Sequence, residues 1–445
     1  MEELRALAAR LVALEEAAAI EQALASASTD LRPRLALAQL LIERGGGATA
    51  VALLEDAVAR APDSAEAVNA LGSVHRKLGQ HRASAGYFEK AVALEPGNQA
   101  LRFNLALAVL SQGDLARGWP LYEEGRNLVS QRADAFRRYP FPEWQGESVE
   151  GKSLYLWAEQ GVGDVILFGS MIGDLIGQGA RCVIECDKRL IPLLRRSFPG
   201  LAAVAAGPLS DLGLGGRQFD YHAPLGSLGR FLRPSLEAFP PPRAFLKADR
   251  RRVAACRERL AALGDGRKIG ISWASKSAFY DAKSTALRDW APIFAVPDIH
   301  FVNLQYGDVR EELAAVERDL GVAIFDHPEI DKREDIDGLA ALVAACDLVV
   351  TVSNVTAHIA AGQGKTTFQI LGPETMWYWF QERADSPWYP GLHQVRAAVP
   401  YRWDDAIAAV AAALRAPQSP PAKQGVAAPK RRKRRPRIVR ARPKA

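Results

Sequence analysis

The sequence predicts an α/β protein with an N-terminal all-α part: an array of helical hairpins, then two parallel-sheet halves that share a cleft. Three observations carry this. Pro62 and Pro96 lie 34 residues apart with matching residues before each, which marks a repeat. From Ser153 the apolar pattern changes to short strand-like runs alternating with helical periods, as in βαβ units. Pro240-Pro241-Pro242 and a basic helical stretch, Arg250 to Leu263, then divide the alternating region in two.

At 445 residues the chain exceeds one core, and two to four compact units are expected, which the 48% apolar content can fill. Ten of the 57 Lys and Arg fall in residues 430–445; the remaining 47 face 51 acidic residues, a net of −4. The body is therefore mildly acidic, and contact with nucleic acid or anionic membrane is expected of the basic tail alone, if anywhere. The opening Met1-Glu2-Glu3-Leu4 is acidic and then amphipathic, unlike a secretory signal, and no run approaches the ~20 apolar residues of a membrane span. A cytoplasmic location is expected. Cys182, Cys186, Cys256 and Cys346 are too few and scattered for a disulfide framework or a zinc site.

In the repeat from Ala65 to Asn98, Leu71-Gly72, Gly79, Phe88, Ala91 and Pro96 hold the key positions; the preceding copy has Leu37-Ala38, Gly45, Leu54, Ala57 and Pro62. Small residues at Gly72/Ala38 and Ala91/Ala57 let helices cross closely, and each proline ends a helix. The spacing resembles the tetratricopeptide repeat. A third copy from Gln99 keeps Leu105-Ala106, Gly113 and Tyr122 but degrades at Gly118-Trp119-Pro120, so the array is expected to end by docking onto the next domain. A helix from Glu2 to about Leu24 precedes the array as a partial repeat or cap. The predicted domains are 1–132 repeats, 133–150 connector, 151–248 first Rossmann-like half, 249–415 second half and 416–445 a disordered basic tail.

In the first half, strands at Leu154 to Trp157, Cys182 to Glu185 and Asp220 to Leu225 alternate with helices at Val165 to Ile176 and Arg189 to Ser197. The second half has strands Ile269 to Trp273, His300 to Leu304, Val322 to Phe325, Leu348 to Val352 and Thr367 to Leu371, closed by a helix from Asp404 to Leu414. Ligands of such sheets bind in the crevice between halves.

Two strand-to-helix turns are the main site candidates. Glu159-Gln160-Gly161-Val162-Gly163-Asp164 follows a strand and opens a helix, where glycines admit a ligand to the backbone and the helix end favours anions. As a dinucleotide fingerprint it lacks the third glycine, and Asp164 can serve equally as a helix cap. In Thr351-Val352-Ser353-Asn354-Val355-Thr356-Ala357-His358 a buried strand turns into a helix that Ser353 or Asn354 can cap; its first amides suit a diphosphate, and His358 either donates to that phosphate or packs. Ser275, Lys276 and Lys283 sit in a polar loop after a strand, where they can neutralise a departing nucleotide or be ordinary surface residues. Gly364-Lys365-Thr366 is excluded as a phosphate loop because it runs from helix into strand, and Asp335-Ile336-Asp337 reads as a helix cap rather than a metal motif. The aromatics of Trp377-Tyr378-Trp379 and Ser386 to Pro390 read mainly as core, with one free to stack on a base or sugar.

EQGVGD at 159–164, GISW at 270–273, LQYGD at 304–308, the run 339–365 and DSPWYP at 385–390, taken together over residues 31–415, resemble the bacterial tetratricopeptide-repeat glycosyltransferases. These are relatives of the lipopolysaccharide heptosyltransferases and, more distantly, of O-GlcNAc transferase; the LQYGD and SN-x-TAH wording resembles a flagellin-modifying branch. The resemblance implies a GT-B fold of two Rossmann-like domains, the acceptor on the first half and the nucleotide sugar on the second. It implies inverting, metal-independent transfer with no cofactor. Asp164 would be the base that deprotonates the acceptor hydroxyl, with His358 beside the leaving group. Gly161, Gly163, Ser275, Lys276, Lys283, Gln305, Ser353, Asn354, Val355, Thr356 and Ala357 would bind the nucleotide sugar. Ser353-Asn354 replaces the relatives' D-T, and Ser170-Met171 their R-Y, so a different donor sugar is plausible. The expected partners are a nucleotide sugar and a protein acceptor held in the repeat groove, flagellin among the candidates. The alternatives are a repeat scaffold whose transferase part has lost catalysis, and a dinucleotide oxidoreductase, against which the missing glycine counts.

Overall fold

The structure, a computed structural model, describes residues 31–128, 139–207, 218–275 and 283–416. The helix expected over Glu2 to Leu24, the basic tail beyond 416, Lys276 and the start of the 133–150 connector lie outside the described residues.

Six helices form the array: α1 Leu31–Glu43, α2 Gly47–Arg60, α3 Ala65–Lys77, α4 His81–Leu94, α5 Gln99–Ser111 and α6 Leu115–Gly125. The 34-residue period appears directly in the backbone, because Gly45, Gly79 and Gly113 each turn left-handed between the two helices of a hairpin, with φ of 87°, 73° and 85°. Ser64, Asn98 and Asp114 cap α3, α5 and α6 by accepting from first-turn amides. A side chain at Gly72 would lie 2.9 Å from the Phe88 ring, so the small residue there sets how closely α3 and α4 cross.

The first half is a four-stranded parallel sheet of β1 Ser153–Trp157, β2 Arg181–Cys186, β3 Ala202–Ala205 and β4 Tyr221–Pro224, in the order β3-β2-β1-β4. Its helices are α7 Val162–Gly169, α8 Ile172–Gly177, α9 Ile191–Ser197 and α10 Leu228–Leu232. The single helix expected from Val165 to Ile176 is two. Ser170 N and Met171 N bond back three residues, at 3.1 and 3.0 Å, which tightens the turn and buries Met171. Strand β3, Ala-Ala-Val-Ala, was not anticipated; its side chains are too small to carry a hydrophobic signal.

The second half comprises α11 Arg250–Ala261, β5 Arg267–Ser272, α12 Ala291–Phe294, β6 Ile299–Asn303, α13 Arg310–Leu320, β7 Ile324–Phe325, α14 Ile336–Ala345, β8 Leu348–Val352, α15 Val355–Gly362, β9 Thr367–Leu371, β10 Leu392–Arg396 and α16 Asp404–Arg415. Its six strands are all parallel in the order β10-β9-β8-β5-β6-β7. Two Rossmann-like sheets thus face one crevice. Strand β10, with His393 and Gln394 in the run, escapes an apolar pattern search because it lies at the sheet edge.

The halves are tied behind the crevice by a two-pronged ion pair, Arg196 to Asp337 at 2.7 and 2.9 Å. On the other side the array joins them. The Trp119 indole of α6 is buried, donates to the Arg233 carbonyl at 2.9 Å and meets Trp377 edge-on at 5.2 Å, so it touches both halves. Any side chain at Gly229 would run into its six-membered ring. One continuous apolar cluster includes Phe103 and Trp119 of the array, Phe168 of the first half and Trp379 of the second. Trp119→Ala is expected to cost about 3–5 kcal/mol and Gly229→Ala about 1–3 kcal/mol, read by denaturant unfolding. Changes below about 0.5 kcal/mol for both would mean that the joint bears no load.

Candidate active site

Each sheet reverses strand order once, at β1 in the first half and between β5 and β8 in the second, and loops leaving such switch points line ligand crevices. Here the loops after β1, β5 and β8 converge on a crevice of about 1200 Å³. It gathers Gly161, Gly163 and Asp164 from one half, and Ser275, Lys283, Ser353, Asn354, Val355 and His358 from the other. The array closes a third side with Phe103, Leu107 and Tyr122.

Three predicted site residues are not brought there. Gln305 is buried beneath the floor, its Oε1 accepting from Ser272 Oγ and from the amides of Trp273 and Ala274 at 2.9–3.0 Å. Its work is to shape the turn that delivers Ser275. Thr356 and Ala357 are wholly buried, and their amides are taken by the Asn354 Oδ1 cap at 3.0 and 3.3 Å. The expectation that these amides point into the crevice is therefore corrected: Asn354, not Ser353, caps α15, leaving Val355 at the crevice face. The Asn354 amide donates in turn to Ser272 Oγ and the Ala274 carbonyl, locking α15 to the β5 loop.

Ser353 Oγ accepts from Trp379 Nε1 at 2.9 Å, which leaves its proton to donate. The loop carrying Lys283 is pinned at its stem, where Ser284 Oγ bonds both polar backbone groups of Ser275 and Thr285 N donates to the Trp273 carbonyl. Burial pushes the Lys283 ammonium down to about 8, while Asp164 and Glu374 pull the other way.

Asp164 both caps a helix and lines the crevice. Its Oδ2 accepts from Gly161 N at 3.2 Å, capping α7, while Oδ1 is buried without a hydrogen-bond partner among the described residues. Burial raises its carboxyl above the ordinary aspartate range, and Lys283 and the Tyr378 phenol hold it partly down. His358 stacks on Trp379 with ring centres 5.0 Å apart, and its Nδ1 meets the Tyr389 hydroxyl at 2.7 Å. Burial, with Lys283 adding to it, pushes the imidazole down to about 3, so the ring is neutral. The glycine requirement at 163 follows, because a side chain there would stand 2.9 Å from His358 Cδ2.

Four residues make individual contacts that their motifs did not assign them: Tyr122 of the repeat, Glu159 of the glycine turn, and Tyr378 and Tyr389 of the aromatic runs. Tyr122 occupies the repeat position of Leu54 and Phe88, and only its hydroxyl, 2.5 Å from Gln160 Nε2, sets it apart. Asp335 accepts from Gly338 N at 2.9 Å and pairs with Arg252, so the Asp335-Ile336-Asp337 motif is spent on capping and ion pairs. Gly364-Lys365-Thr366 joins α15 to β9, with the lysine on the Cys346 carbonyl. The four cysteines are buried free thiols. No helix of the described residues is long and apolar enough to cross a membrane.

The tetratricopeptide repeat family matches residues 35–85 and 69–127. The helical array is a tetratricopeptide-repeat array. Over 398 residues the chain is 32% identical to Protein FlbA of Caulobacter vibrioides, which covers 85% of this chain and 66% of that protein, so the chain spans just under two thirds of this relative's length. Among solved structures it is similar to a glycosyl transferase of family 9 from Veillonella parvula, with a TM-score of 0.43 and 13% identity over 57% of this chain and 88% of that one. It is also similar to the E. coli ADP-heptose lipopolysaccharide heptosyltransferase II, with a TM-score of 0.42 and 14% identity over 55% and 90%.

Behind the glycine turn, Glu159 accepts from Gly226 N at 2.9 Å, and its complete burial pushes the carboxyl from 4.5 up to about 7. The folded chain therefore binds this proton more tightly than the unfolded chain. Stability falls as pH rises from 4.5 to about 7 and stays low above it. Glu159→Gln is expected to match wild type in acid and to be more stable by about 3 kcal/mol at alkaline pH; unfolding curves that differ equally at every pH would refute this.

Proposed function

We propose that the chain is a glycosyltransferase that moves a sugar from a nucleotide-sugar donor to a hydroxyl of a protein or glycan, inverting and without a metal, the repeat array binding the acceptor. The observation carrying this reading is the buried Asp164 carboxylate in one crevice with Lys283 and the first turn of α15. As the acceptor oxygen bonds to the anomeric carbon, its proton passes to Asp164. The bond from that carbon to the nucleotide diphosphate breaks, and its electron pair leaves with the diphosphate. Lys283, Ser275, Ser353 and Val355 line the same crevice, and their donors would meet that negative charge. One displacement, with acceptor and leaving group on opposite sides of the sugar, inverts the carbon. A flagellin acceptor is the narrower form of the proposal, supported by the wording of Leu304 to Asp308 and Ser353 to His358.

Calorimetry with a panel of sugar nucleotides separates this reading from an inactive scaffold, since a chain that binds none of them is no transferase. With a donor in hand, Asp164→Asn is expected to lower kcat about 10²–10⁴-fold while the circular dichroism spectrum is unchanged; retained activity removes Asp164 as base. Activity needs Asp164 ionised and Lys283 protonated. The rate therefore rises with pH through the raised Asp164 value and falls above about 8, and Lys283→Met abolishes the alkaline limb.

A further inference from the structure

We propose that Tyr389 is a positioning residue that holds His358 in the tautomer with its proton on Nε2, making His358 a fixed neutral donor rather than a second base. The catalytic consequence rests on the transferase reading; the tautomer itself does not.

The argument is one of satisfied protons. Tyr389 is 1% exposed, and among the described residues His358 Nδ1, at 2.7 Å, is the hydrogen-bond partner of its hydroxyl. If Nδ1 carried the proton, the phenolic hydrogen would be buried with nothing to accept it. The phenol therefore donates to Nδ1, and a neutral ring then carries its proton on Nε2.

The ring cannot escape this by flipping. Trp379 stacks on it at 5.0 Å with planes 27° apart, and Tyr378 crosses it at 5.7 Å. Gly163 lies against the opposite edge, where a side chain would come 3.2 Å from Nε2. A flip would exchange Nδ1 for a carbon and break the Tyr389 bond. Nε2 is thus the edge turned toward the glycine turn, beside the crevice that holds Asp164. Burial keeps the ring neutral through the physiological range, so the donor does not switch with pH.

The consequence is a division of labour. A neutral N–H can stabilise an oxygen of the donor diphosphate but cannot take the acceptor's proton, so that proton is left to Asp164. It also explains why an aromatic pocket surrounds a polar ring: Trp379 and Tyr389 orient the imidazole, and Trp379 orients Ser353 through its indole nitrogen.

The test is nitrogen NMR of the full chain labelled with ¹⁵N-histidine, feasible because the chain has 7 histidines. The His358 signals are assigned as those missing from His358→Gln. The expected wild-type pattern is protonated Nε2 and bare Nδ1, unchanged across neutral pH. Tyr389→Phe should shift both nitrogens toward a tautomer mixture and lower kcat about 10- to 100-fold, with donor KM nearly unchanged. A wild-type proton on Nδ1 overturns the proposal even if Tyr389→Phe does not fold. Unaltered nitrogen signals in Tyr389→Phe overturn the lock, and an altered tautomer with wild-type kcat overturns the positioning role. Should no sugar nucleotide bind, the transferase reading fails while the NMR result still decides the tautomer.

Discussion

The indole of Trp119 fills the joint where three folding units meet. Its ring lies on Gly229, its N–H on the Arg233 carbonyl, and its edge faces Trp377. Because a single side chain touches the array and both halves, the array becomes a wall of the crevice instead of an appendage. Tyr122, one turn further along α6, reaches Gln160 in the glycine turn from the same surface. An aromatic ring suits this position, since it offers a large apolar face to the core and one polar atom to a backbone carbonyl.

Closing the crevice on three sides changes the chemistry of what it holds. Removal from water raises the Asp164 carboxyl and lowers the Lys283 ammonium and the His358 imidazole, as it must for an acid and for two bases. The attraction between Asp164 and Lys283 opposes both of their shifts, whereas Lys283 pushes His358 further in the direction that burial already does. One desolvated space thus holds an acid, an amine and an imidazole whose titrations are all displaced by burial. Beneath them, Gln305, Ser272 and Asn354 form a buried chain of hydrogen bonds that ties the β5 turn to the start of α15. That chain fixes the distance between the loops, and Asn354, its end at α15, also lines the crevice.

The helical repeats and most strands were legible because their signals are local. Gly45, Gly79 and Gly113 recur at the repeat period, and runs such as Leu348 to Val352 are apolar throughout because both faces are covered. What escaped was small or ambiguous. Ala202 to Ala205 has side chains too short to register, and the Ser170 turn breaks a helix without changing its apolar period. At the site, turn chemistry placed Asp164 and His358, but Thr356 and Ala357 were read as open because sequence does not say which residue wins the cap. Asn354 won, and it consumed their amides.

The sequence by itself determined the order of the parts, the two strand-to-helix turns and the residue types available for acid, base and anion work, since each is written within a few consecutive residues. Only the tertiary structure decided which of those residues face one another. The carboxylate of Asp164, the ammonium of Lys283 and the ring of His358 come from loops far apart in the chain. Their charge states follow from a shared loss of water, and no one loop produces that alone.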